Sequence, residues 1–93
     1  MSSGRALEIR IASRTLKVFI AIAKERQKFL EDEIDIAELW ITYGINLSEE
    51  DIAGFVDRKK TARHSLNLIN QALDEANQRL TTWKNQLRIY SQS

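Results

Sequence analysis

Ninety-three residues with 14 lysines and arginines, 13 acids and one histidine carry a net charge of +1, so no global pull toward nucleic acid or membrane follows. The lack of cysteine excludes disulfides and thiolate metal sites, and a lone histidine excludes the common histidine-based zinc and di-iron centres. A chain this short buries only about 60–65% of its unfolded surface, which leaves oligomerisation as the remaining support for its stability.

Residues from about 4 to 43 contain no helix breaker, so the pattern predicts a first helical arm there. Its apolar run, Leu16 to Ala23, is far short of the ~20 residues that span a bilayer. With no secretory signal in the reading, the default expectation is a cytoplasmic protein without a membrane span. The 3-4 spacing of Ile9, Ala12, Leu16, Phe19, Ala23, Arg26, Leu30, Glu33, Ala37 and Trp40 marks a seam. The acidic run Glu31–Asp32–Glu33 leaves open a break, after which Ile36 to Tyr43 would form a short third helix.

Residues 44–48 read as a turn. Gly44 suits the left-handed residue that stops a helix, which would bring Ile45 against Trp40. Ser48 fits an N-cap with Asp51 three residues on, and Leu47 and Ile52 fit a hydrophobic staple. Glu49, Glu50 and Asp51 place negative charge in the first turn, where the helix dipole favours it. A second arm then runs from about Glu49 to Tyr90, interrupted only by Gly54. Its seam is Ile52, Phe55, Lys59, Ala62, Leu66, Ile69, Leu73, Ala76, Leu80, Trp83, Leu87 and Tyr90, with Lys59 the one polar member.

The fold class is therefore all-α: an antiparallel two-helix hairpin with coiled-coil-like packing. If partners lie equidistant from Asn46, Trp40 faces Ile52, Ala37 faces Phe55, Leu30 faces Ala62 and Ile9 faces Trp83. Glu33 then faces Lys59, an ion pair able to fix the register. Charge is segregated to match: residues 1–28 hold seven bases and two acids, 29–57 nine acids and no base, and 58–93 seven bases and two acids.

The first arm has a second apolar stripe, Leu7, Ile11, Val18, Ile22, Phe29, Ile36, Leu39 and Tyr43, with Ile20, Ile34 and Ile41 widening the arc on the other side. The second arm offers little to cover it, mainly Val56, Leu68 and Ile89. An unmatched face of this kind marks an interface. The expected solution is a homodimer, two hairpins forming a four-helix bundle with their first arms inside.

Catalytic chemistry finds no constellation. The residue three before His64 is Thr61, so the Glu-x-x-His pattern of di-iron bundles fails, and Gly4, Gly44 and Gly54 are too far apart for a phosphate loop. No catalytic residue, metal site or cofactor is expected. Trp40 and Trp83 read as core residues that could also anchor a partner. The end that bears both termini is basic, with Arg5, Arg10, Arg14, Arg79, Lys84 and Arg88, and is the candidate contact for an anionic partner such as nucleic acid or phospholipid.

A hairpin of this length about a central turn resembles, at the level of fold plan, small secretion substrates and their chaperones. It departs from the Trp-x-Gly secretion family, since three residues separate Trp40 from Gly44. Phage or mobile-element adaptors and immunity-type inhibitors share the plan without a common motif, and a shared plan does not license a function. The expected function is a non-enzymatic protein–protein interaction module, an adaptor, inhibitor or chaperone-like regulator, with a nucleic-acid-associated helical protein as the alternative.

Overall fold

The computed structural model describes residues 2–92, with side chains over 4–91. Two long helices account for it: α1, Ser2–Tyr43, and α2, Glu49–Gln92, joined by residues 44–48 into a hairpin. No strand occurs among the described residues. The acidic run Glu31–Glu33 does not break α1, which passes through it uninterrupted and leaves no separate third helix. Contacts within the hairpin fall into two compact units, a turn unit over residues 25–70 and a terminal unit made of the described residues up to 24 and from 71 onward.

In the turn unit, the cap behaves as its residue types require. Asp51 N–H donates to Ser48 Oγ at 3.1 Å and Ser48 N–H donates to Asp51 Oδ2 at 3.2 Å, a reciprocal capping box that satisfies two orphan donors of α2. Gly44 departs from expectation. Its φ is not positive, and its N–H still donates to the Trp40 carbonyl at 2.9 Å, so the helical pattern runs through it. The left-handed residue is Asn46, with φ 61°, a conformation that asparagine tolerates better than most residues. Glycine is needed at 44 for space: a Cβ there would collide with Leu47 Cδ1 and the Trp40 carbonyl. Leu47 folds over Gly44, while Ile45 stands 83% exposed.

The core of the turn unit is Leu30, Ile34 and Ala62, with Leu66 and Ile69 packed against them. Ala37 is also buried. Gln27 Nε2 donates to Asn70 Oδ1 at 2.7 Å between the helices, and the Trp40 and Phe55 rings stack at 5.7 Å with 7° between their planes. In the terminal unit the buried residues are Ala6, Ile9, Ser13, Ile20 and Ala23 on α1 and Leu73 and Ala76 on α2. Leu16, Leu80, Trp83, Leu87 and Tyr90 are partly buried beside them. Small residues recur on both helices at the seam, which allows close approach of the backbones.

The α2 seam keeps the spacing expected of it from Phe55 onward; Ile52 is 37% exposed. The α1 seam is corrected at alternate positions: Ser13, Ile20, Gln27, Ile34 and Ile41 turn inward where Ala12, Phe19, Arg26, Glu33 and Trp40 were expected. The reason is desolvation. The expected set would put the charges of Arg26 and Glu33 between the helices, whereas the observed set offers three isoleucines, a serine and a glutamine that has its partner in Asn70. Both sets share Ile9, Leu16, Ala23, Leu30 and Ala37, so helical spacing alone could not choose between them.

The register is corrected with it. Lys59 does not meet Glu33; its Nζ lies 2.8 Å from Glu38 Oε1, and Arg63 Nη2 reaches the same oxygen at 3.6 Å. Trp40 meets Phe55 instead of Ile52. Partners in the turn unit are displaced by about one helical turn from the arrangement centred on Asn46. The turn explains the displacement, because the chain continues past Tyr43 through Gly44 before Leu47 folds back.

Candidate interaction surface

Heptad geometry fixes where the unmatched residues of α1 must lie. The seam occupies the inner two positions of each heptad, and residues two places further on fall on the opposite side of the helix. Ile11, Val18 and Ile22 in the terminal unit stand in that relation to Ile9, Leu16 and Ile20. Phe29, Ile36, Leu39 and Tyr43 in the turn unit stand in the same relation to Gln27, Ile34, Ala37 and Ile41. All seven, with Leu7, are 55–73% exposed, although their chemistry favours burial. The stripe thus lies on the back of α1, away from α2.

At the turn the stripe broadens. Ile36, Leu39, Trp40, Tyr43, Gly44 and Ile45 line an open apolar groove of about 520 Å³. Trp40 and Ile45 were not among the surface residues expected from sequence. The spacing places Trp40 on the seam and Ile45 against it, whereas Trp40 is 49% and Ile45 83% exposed. Phe19, also assigned to the seam, is 45% exposed and lines an open cleft of the terminal unit with Leu16, Ala76 and Arg79. Both aromatics lie outside the observed seam, in which Ile20 and Ile41 turn inward beside them.

Polar groups around the stripe divide by unit. In the turn unit, Glu38 is held below its ordinary carboxylate pKa, chiefly by the hydrogen bond and charge of Lys59 and more weakly by Arg63. Glu31, Asp32 and Asp35 are exposed on α1 without an ion pair among the described residues. Glu33 lines a cleft with Arg26, Asp57 and Arg58. Arg26 lies over the Phe29 ring at 5.0 Å and Arg58 over Phe55 at 5.8 Å, so these two guanidiniums cover aromatic faces.

In the terminal unit, Arg5, Arg10, Arg14, Arg79, Lys84 and Arg88 are all exposed. Arg5 reaches Glu8 at 3.4 Å on its own helix. On α1, Arg5, Arg10 and Arg14 occupy three different heptad positions, and on α2 Arg79, Lys84 and Arg88 do likewise. The bases are gathered in one unit but spread around both helices and form no single stripe. His64 is exposed on α2. Among the described residues no helix is long and apolar enough to cross a membrane, and no three His, Asp or Glu side chains converge as metal ligands. No family model, no characterised protein and no solved structure matches the chain.

Proposed function

We propose that the chain is a non-enzymatic protein–protein interaction module, an adaptor, inhibitor or chaperone-like regulator, that binds through the back of α1. One observation carries this reading: an apolar stripe sustained at heptad spacing along a helix whose other face is already packed on α2. An isolated exposed isoleucine is ordinary, whereas exposed apolar residues recurring on one helix face among charges are how an unfilled interface looks. The assembly that buries it most simply is a homodimer of two hairpins, a four-helix bundle with the two α1 helices inside. A fixed charge pattern at its margins would then select partner and orientation.

Substitution on the back of α1 tests the reading. Ile22→Glu with Ile36→Glu leaves the α1–α2 seam intact, so helical content measured by circular dichroism should persist while the associated species is lost. Unchanged association in this variant would show that the back of α1 is not the interface.

The alternative, an association with nucleic acid through the terminal unit, has in its favour the six exposed bases described above. Retention on heparin that falls steeply with salt would support it.

A further inference from the structure

We infer that the back of α1 is covered by a second copy of this chain running antiparallel, so that the terminal-unit stretch of one α1 lies against the turn-unit stretch of the other. The inference rests on the interaction reading above and adds the identity and direction of the occupant.

Charge complementarity carries it. The terminal-unit stretch of α1 presents Ile11, Val18 and Ile22 among the exposed bases Arg10, Arg14, Lys17 and Lys24, none of which has an ion pair among the described residues. The turn-unit stretch presents Phe29, Ile36 and Leu39 among acids, of which Glu31, Asp32 and Asp35 have no ion pair. The bases of α2 do not complete this set, since Lys59 and Arg63 both converge on Glu38, Arg58 lies over Phe55 and Lys60 reaches no acid among the described residues. The terminal-unit strip therefore carries unanswered bases, and the turn-unit strip, despite Arg26 and Lys28 at its start, carries an unanswered excess of acids. The two signs occur on one continuous helix, Ser2–Tyr43.

A second copy reversed in direction meets base with acid twice, once at each end, which is the closed two-fold arrangement expected of a self-complementary surface. A parallel copy would set base against base and acid against acid along the same length, which disfavours that orientation. A different protein would have to reproduce both the apolar spacing and the reversal of charge that this chain already contains.

The natural chain has no cysteine, so single thiols report orientation cleanly. Ile11→Cys and Leu39→Cys are prepared separately, checked for helical content, and treated with a short bismaleimide alone and as an equimolar mixture. The two positions lie many turns apart in the sequence of one helix, so a short linker separates the orientations even if the register moves by a turn. Antiparallel pairing predicts efficient cross-linking between the two variants in the mixture and little within either variant alone. Cross-linking of Ile11→Cys to itself would overturn the direction while leaving the back of α1 as the interface. No cross-linked product, with a monomer mass for both variants and the natural chain, would overturn the second copy as occupant. The Ile22→Glu, Ile36→Glu variant, made in each cysteine background, separates the two levels: persistence of cross-linking there would fault the choice of face itself.

Discussion

Lys59 Nζ sits 2.8 Å from Glu38 Oε1, joining α2 to α1 beside the buried Ala37 and setting the hairpin about one turn away from symmetry about Asn46. Lysine suits this position because its stem can lie along the seam while its ammonium reaches out to the carboxylate. The pair predicts a specific coupling. Glu38→Lys should destabilise, and adding Lys59→Glu should recover part of the loss, whereas Glu33→Lys with Lys59→Glu should show no such recovery. Urea denaturation of the two double-mutant cycles reads the difference, and coupling through Glu33 would contradict the register.

The same contact gives a pH dependence with a definite sign. Glu38 has its carboxyl pKa lowered by Lys59, so the folded state binds its proton less readily than the unfolded chain does. Its contribution is present above the unfolded carboxylate value and is lost as pH falls through the lowered one. Glu38→Gln should therefore flatten the acid limb of the stability profile relative to the natural chain, as followed by urea midpoints across that range. An acid limb unchanged by the substitution would show that Glu38 does not contribute there.

The turn predicts two opposite responses. Gly44→Ala should destabilise by about 1–3 kcal/mol, because the added methyl meets Leu47 and the Trp40 carbonyl, and Leu47→Ala should relieve part of that cost. At Asn46, where φ is 61°, Asn46→Gly should be tolerated and Asn46→Ile should cost about 1–2 kcal/mol. Thermal melts distinguish these from a turn that depends on a left-handed Gly44, in which Asn46→Ile would be harmless.

Two neighbouring residues of α1 should behave as opposites. Leu30 is 2% exposed in the core of the turn unit, and Leu30→Ala should cost about 2–5 kcal/mol. Phe29 is 56% exposed on the back of the helix, and Phe29→Ala should weaken association while leaving the hairpin seam intact. Denaturation at a low concentration, where the proposed dimer would be dissociated, separates the two effects. A large loss for Phe29→Ala under those conditions would place it in the hairpin core.

Ser13 is 8% exposed and its Oγ has no hydrogen-bond partner among the described residues. Ser13→Ala removes that unsatisfied group at a position between Ile9 and Leu16 where alanine fits, so stability should rise by about 1 kcal/mol. A loss of stability would mean that the hydroxyl is satisfied in solution.

The local features were readable because each depends on neighbouring residues alone. Ser48 with Asp51, the end of α1 at Tyr43, the start of α2 at Glu49 and the α2 seam from Phe55 all follow from capping chemistry and heptad spacing. The back-of-α1 stripe was equally legible, since Ile11, Val18 and Ile22 recur at spacings that α2 cannot match. The α1 seam was not, because two series share every second member and the choice turns on what it costs to bury Arg26 and Glu33. Register failed for a related reason. Glu33 and Glu38 are both acids of the turn-unit stretch of α1, only Glu38 meets Lys59, and the path of Gly44 to Leu47, on which the offset depends, is set by packing over a glycine that spacing rules do not describe.

The most direct test of the central claim, that the back of α1 is filled by a second copy, is the solution mass of the natural chain by light scattering over a hundredfold range of concentration. A second copy on this face gives a species near twice 10.8 kDa whose affinity falls modestly as salt screens the paired ends. A mass of 10.8 kDa at every concentration would contradict it.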